Sequence, residues 1–154
     1  MASSLPVDSS LFFKLIRVVN LTARPFHEGV GKVHHLSLNE WRVMVVLASH
    51  PGCVATDVAE YTGLDKMSVS RALLGLQKQG RVQREADALD KRRSHLWLTT
   101  SGKKLFANIG AKAVEREALL FAGLTPTELS GVGQTLDKLI GVLTSPEVNA
   151  LEAE

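Results

Sequence analysis

The chain lacks most of what a secreted or membrane-bound protein needs. Cys53 is its single cysteine, so no internal disulfide framework can staple it. No apolar run is long enough to cross a bilayer. The opening residues, Met1-Ala2-Ser3-Ser4-Leu5-Pro6, have neither the charged nor the apolar region of a signal peptide. These absences set the expectation of a cytoplasmic protein with no membrane partner. No internal repeat or low-complexity tract is evident. There is also no GxSxG elbow, no HExxH and no phosphate-binding loop. Gly29-Val30-Gly31 has no strand before it, as a dinucleotide fingerprint requires. Serine, histidine and aspartate all occur, but geometry and not occurrence defines a triad. An enzyme is therefore not expected, and neither is a cofactor.

What the chain does have is ordinary in amount and uneven in placement. At 154 residues, 45% apolar and 22% charged, it reads as one globular domain with a sound core. The net charge is only +2. Between Leu64 and Lys104, however, ten cations face four anions, a local net of +6 that leaves −4 on the remainder. A basic module on an acidic scaffold is the electrostatic footprint of nucleic-acid binding.

That basic stretch carries a helix-turn-helix pattern. Thr56 to Tyr61 reads as a first helix, and Thr62-Gly63-Leu64 as a tight turn in which Gly63 suits positive φ. Asp65 is placed to cap a second helix, Lys66 to Gln79, that Gly80 ends. Val69, Leu73 and Leu76 fall at i, i+4, i+7 and predict a buried stripe. Lys66, Ser68, Ser70, Arg71, Gln77 and Lys78 occupy the other face, with Thr56 on the first helix. Short hydroxyls and long cations are the types that reach phosphates and base edges.

A charged hairpin follows directly. Arg81 to Glu85 alternates as one strand and His95 to Thr99 as its partner. Between them Lys91, Arg92 and Arg93 form a cationic tip that serves no core, and Arg84 adds a cation on the first strand. Such a tip suits a minor groove or a line of phosphates. Asp90 is placed to brace Arg92 by a charge-assisted hydrogen bond.

Four stretches carry a resemblance: Asp65 to Leu73, Gln79 to Arg84, Asp87 to Arg92, and Leu98-Thr99-Thr100-Ser101-Gly102. Together they resemble the signature of the MarR family, and the flanking helices extend the likeness over nearly the whole chain. The resemblance implies a mainly α fold with a small β-hairpin, a winged helix-turn-helix with flanking dimerisation helices. It implies a homodimeric transcription factor, usually a repressor released by a small ligand. The helix matching Lys66 to Gln79 would lie in the major groove. The arginine matching Arg92 would enter the minor groove, oriented by the aspartate matching Asp90. Ala88 departs from a frequent proline, and Met67 from a common polar residue.

The whole chain, 1–154, is expected as a single domain of this type, with its winged helix-turn-helix over about 37–100. Dimerisation helices are expected over about 9–30 and 101–144. Leu11, Leu15, Val18, Thr22 and Phe26 form a stripe on the first, where Pro25 is expected to strain or kink the helix. Gly29 through Leu36 is expected as a loop, and Ser37-Leu38-Asn39-Glu40 as a capping box. Thr125-Pro126-Thr127-Glu128 opens a last helix bearing Leu129, Val132, Leu136, Leu139, Ile140 and Leu143. These helices are too apolar to finish on one reading module. A two-fold dimer would set two reading helices one DNA turn apart, favouring a palindromic operator.

The resemblance also implies an effector held between dimer helices and reading module, often an aromatic acid or phenol. Arg17, Asn20, Arg24 and His27 on the first helix, with Trp41 on the next, are the ligand candidates. Each has a plainer reading as a surface or core residue. Two other sensing modes compete. His27, Glu28, His34 and His35 offer metal-ligating types, but without tight spacing no metal site is expected. Cys53 has no adjacent cation to lower its pKa, so it reads as packed or inert. A metal- or redox-responsive regulator of the same fold, or a winged-helix module that binds protein, remain as alternatives.

Overall fold

A computed structural model describes residues 6–146. It is mostly helical, with one two-stranded antiparallel sheet. In chain order the elements are α1 (Leu11–Glu28), α2 (Val30–His34), α3 (Leu38–Ser49), α4 (Ala55–Thr62), α5 (Lys66–Lys78), β1 (Val82–Ala86), β2 (Ser94–Leu98), α6 (Thr100–Phe121) and α7 (Pro126–Leu143). Two compact units result, Met1–Ile109 and Gly110–Glu154, with the boundary inside α6.

Polar side chains start the helices, Ser37 and Thr125 at the expected positions. Ser10 accepts from the Phe13 N–H ahead of α1. Ahead of α3, Ser37 Oγ accepts from the Glu40 N–H while the Glu40 carboxylate accepts from the Ser37 N–H, a complete capping box. Thr125 and Glu128 make the same reciprocal pair ahead of α7, with Pro126 at the first helical position. Pro25 sits in the last turn of α1, and the helix continues past it to Glu28.

The stretch after α1 is a correction. Gly29 through Leu36 was expected to be a loop, but Val30–His34 forms the short helix α2, ended by His35 at φ 48°. Gly31 is there for closeness and not for flexibility. A Cβ at this position would stand 2.8 Å from the Leu36 carbonyl oxygen and 3.0 Å from the Phe26 ring.

The core of the first unit gathers α3, α4, α5 and the sheet. Val43, Met44, Leu47, Val58, Val69, Leu73, Leu76 and Leu96 are essentially sealed from solvent. Phe26 of α1 and Ile109 of α6 close its edges. α3 and α5 approach closely because Gly75 has no side chain; a Cβ there would run into the buried Glu40 carboxylate. This contact fixes the back of α5 and turns its other face outward.

The strands lie one residue off the expected spans, because each outer residue is engaged elsewhere. The Arg81 N–H donates to the Leu76 carbonyl, closing the end of α5. Thr99 Oγ1 donates to the Gly80 carbonyl and accepts from the Gly102 N–H, and the Thr99 N–H donates to the Arg81 carbonyl. Gly102 lies so near the Arg81 carbonyl that a Cβ could not fit. The Leu98 to Gly102 segment thus joins the end of the wing to the end of α5.

Candidate nucleic-acid interface

The turn between α4 and α5 is held at both ends. Gly63 adopts φ 69°, and its N–H donates to the Ala59 carbonyl. Thr62 Oγ1 accepts from the Leu64 N–H and donates to the Val58 carbonyl at 2.6 Å. Asp65 then caps α5, its carboxylate accepting from the Ser68 N–H at 2.9 Å and the Ser68 hydroxyl at 2.7 Å. These bonds, the hydroxyl's first, hold the Asp65 carboxyl below its ordinary range.

α5 has the expected two faces. Val69, Ala72, Leu73 and Leu76 are buried. Lys66, Ser70, Arg71 and Lys78 are exposed, and Ser68 and Gln77 are half-buried. The Ser68 proton is committed to the cap, so this hydroxyl faces any ligand only as an acceptor. The helix ends at Lys78, one residue earlier than expected, with Gln79 as its C-cap. Thr56 on α4 is exposed, as is Met67.

The wing pairs Val82 with Leu98, Arg84 with Leu96 and Ala86 with Ser94. Only Val82 of β1 is buried, and Arg84 is exposed. At the tip Lys91, Arg92 and Arg93 all face solvent beside Leu89, which is 99% exposed. The expected brace between Asp90 and the Arg92 side chain is replaced by a main-chain contact. Asp90 Oδ1 accepts from the Arg92 backbone N–H at 3.0 Å, and the Asp90 carbonyl from the Arg93 N–H at 2.9 Å. A carboxylate two residues back reaches the backbone of its own turn more readily than the end of a long side chain. Asp90 therefore sets the path of the chain through Arg92 rather than aiming its guanidinium.

Asp87 organises the rest of the tip. Its Oδ1 accepts from the Leu89 and Asp90 N–H groups at 2.8 and 3.0 Å. Its own N–H donates to the Arg93 carbonyl. Its Oδ2 lies 2.7 Å from His95 Nε2, and His95 Nδ1 lies 2.7 Å from the Gly52 carbonyl oxygen. The His95 bond, then the two backbone bonds, pull the Asp87 carboxyl down to about 2. The pKa of His95 is raised, first by Asp87 and then by the Gly52 carbonyl.

Sequence reasoning gave His95 a place in a strand and no other role. It also missed two long-range ties. Arg81 Nη2 donates to the His34 carbonyl, and Gln79 Nε2 to the His35 carbonyl at 3.1 Å. These bonds join α2 to the end of α5 across more than forty residues of sequence.

The proposed effector residues are differently placed. Arg17, Asn20, Arg24 and His27 are exposed on α1, at spacings that put them on one face. Trp41 is half-buried and stacks on Phe106 of α6, ring centroids 5.3 Å apart. Burial, then the nearby Asp57 carboxylate, push the Cys53 thiol up, away from a reactive thiolate. Among the described residues no three of His, Cys, Asp and Glu stand together as a metal site. No described helix is long and apolar enough to cross a membrane.

Known proteins share this arrangement. Residues 34–93 match the family model described as MarR family. The transcriptional regulator HosA of Escherichia coli O157:H7 is 35% identical over 86 residues, which are 56% of this chain and 61% of that protein. The match thus spans less than two thirds of the relative's length. A MarR/EmrR family transcriptional regulator from Acinetobacter sp. ADP1 superposes with a TM-score of 0.82 at 24% identity, over 90% of this chain and 98% of that one. NadR, solved in complex with 4-hydroxyphenylacetate, gives a TM-score of 0.75 at 24% identity, over 91% of this chain and 98% of that one. At those identities the two structures establish the fold. Residues 34–93 thus match the MarR family model, within a chain that shares the winged helix-turn-helix fold of these regulators.

Proposed function

We propose that the protein is a sequence-specific DNA-binding transcriptional regulator, a homodimeric repressor released from palindromic promoter DNA by a small organic acid. The observation that carries this reading is the exposed cationic face of α5 leading directly into an exposed cationic wing tip. Lys66, Arg71 and Lys78 lie on the helix, and Lys91, Arg92 and Arg93 at the tip. α5 is of a size to enter a major groove, and the tip is suited to an adjacent minor groove.

The apolar faces left open support the homodimer. Leu11, Phe12, Val18 and Val19 of α1 are exposed, as are Val132, Leu136, Leu139 and Ile140 of α7. A second copy is the natural cover for such faces in a family of two-fold assemblies, and its symmetry would match a palindrome.

The effector class follows from Arg17 and Arg24, two cations on one face of α1 able to hold a carboxylate. The aromatic acid bound to NadR supports that choice. Trp41, half engaged with Phe106, would supply an apolar wall. A thiol-based sensor is disfavoured by the raised pKa of Cys53.

Fluorescence anisotropy on the DNA upstream of the protein's own gene, with and without a panel of aromatic acids, tests the reading. Tight, salt-sensitive binding released by one acid is expected. Release that is unchanged in Arg17→Ala and Arg24→Ala would move the effector site elsewhere. Absence of any specific duplex from a genomic selection would favour a protein-binding winged helix instead.

A further inference from the structure

The contacts of His95 carry more than a strand position requires. Nδ1 faces the Gly52 carbonyl oxygen and Nε2 faces Asp87 Oδ2, both at 2.7 Å. A carbonyl and an ionised carboxylate can only accept. A neutral imidazole has a single N–H and satisfies one of the two; the imidazolium satisfies both.

Each end of this bridge leads to something fixed. Gly52 is locked to β2, its N–H donating to the Leu96 carbonyl while the Leu96 N–H donates to the Cys53 carbonyl. Asp87 collects the main chain of the tip, through Leu89, Asp90 and Arg93. The ring thus spans from the loop after α3 to the segment that carries Lys91, Arg92 and Arg93.

Resting on the DNA-binding reading above, we propose that His95 is a positioning residue for the wing: its protonated ring ties the cationic tip to the α3–α4 loop, and DNA affinity falls as the ring loses its proton. The neutral ring releases one tether. The tip must then be ordered on binding, and that cost appears as weaker affinity.

The charged and titratable groups around the ring agree in sign. Asp87 favours the imidazolium and Arg93 opposes it, with Asp87 the larger. Glu85, the cross-strand partner of His95, adds negative charge on β1. His50 and Cys53 flank Gly52 on the loop. Because the folded value is raised, the brace is complete below the ordinary histidine value of 6.5 and is lost as pH rises through the raised one. Asp87 stays ionised throughout, since its carboxyl titrates only near 2.

Two measurements on wild type, His95→Gln and Asp87→Asn test this. The first is the NMR titration of the His95 ring nitrogens in the full-length protein without DNA. Both nitrogens should carry protons at pH 6, and the midpoint should lie above that of an unhindered histidine. The second is anisotropy on a selected duplex from pH 6 to 9 at constant ionic strength. Wild type should lose about two- to fivefold more affinity over that range than His95→Gln, the scale of one exposed charge-assisted contact. Asp87→Asn separates the brace from simple nearness to phosphate. Its amide oxygen can still accept from the tip, while its N–H donates to a neutral ring, so its affinity should vary little with pH. A ring carrying a single N–H at pH 6 overturns the proposal, as does an Asp87→Asn profile identical to wild type. If no protein binds duplex at any pH, the regulator reading fails along with the affinity claim, and the DNA-free titration still decides whether the brace exists.

Discussion

α5 and α7 begin on similar polar caps and repeat apolar side chains at helical spacing, yet α5 buries Val69, Ala72, Leu73 and Leu76 while α7 buries none. The difference lies in what each has to pack against. α5 meets α3, α4 and the start of β1 within its own unit. α7 keeps Val132, Leu136, Leu139 and Ile140 in solvent, although it is the longer helix by five residues (18 against 13). An amphipathic pattern reports that a helix has a face to bury, and is silent on whether the partner is the same chain. The reading module is therefore finished by its own fold, while α7 keeps an apolar face open, the face that the proposed homodimer would cover.

The sharpest way to break this contrast is on α7. The double substitution Leu136→Glu and Leu139→Glu should leave the fold of the first unit intact and weaken self-association by roughly a thousandfold or more, because charges cannot be buried unpaired in an interface. Sedimentation equilibrium would report a monomer. A dimer of wild-type strength would remove α7 from the interface.

Next in size is a matched deletion in α5. Leu73→Ala should cost about 2–5 kcal/mol of unfolding free energy, since it empties a sealed core position. Denaturant titration should show this loss at every protein concentration, whereas any loss from Leu139→Ala should depend on concentration. Equal concentration dependence for both would erase the distinction between a finished and an unfinished helix.

Arg92→Ala comes third. It should weaken duplex binding about tenfold and lower the salt slope by roughly one unit, as expected for a phosphate or groove contact. Circular dichroism should show no loss of fold, since Arg92 is exposed.

The smallest effect is at the cap of the reading helix. Asp65→Ala should lower the melting temperature slightly by removing the acceptor for the Ser68 N–H and hydroxyl. The pH dependence has a defined sign. The Asp65 pKa is lowered in the fold, so its contribution is present above the ordinary carboxyl value of 3.8 and is lost as pH falls below it. Asp65→Ala should show less of this acid sensitivity in thermal melts.

What the sequence made legible was local. Asp65, Ser37 and Thr125 act within three residues of themselves, and each caps the helix it was expected to cap. Gly63 takes the positive φ that its turn demands. Failures came where a residue answers to something distant. Gly31 looked like part of a loop because its reason, the Leu36 carbonyl and the Phe26 ring, is set by tertiary packing. The alternation puts Arg81 and Thr99 in strands, whereas one reaches α2 and the other caps α6. The spacing pairs Asp90 with the Arg92 side chain, whereas Asp90 meets the Arg92 backbone N–H, because spacing gives proximity without direction. His95 and Gly52 are 43 residues apart in sequence, and nothing in either neighbourhood announces their contact. For the exposed candidates Arg17, Asn20, Arg24 and His27, the fold supplies exposure and a shared face and no more.

The central claim is that α5 and the wing form a surface for duplex DNA. Its most direct test is the salt dependence of binding to a genomically selected palindrome, by anisotropy, for wild type and Arg92→Ala. The account predicts that log K for wild type falls linearly with log salt, by about 0.9 for each phosphate neutralised, and that Arg92→Ala gives a shallower line. A flat line for wild type, or parallel lines of equal affinity for the two proteins, would contradict it.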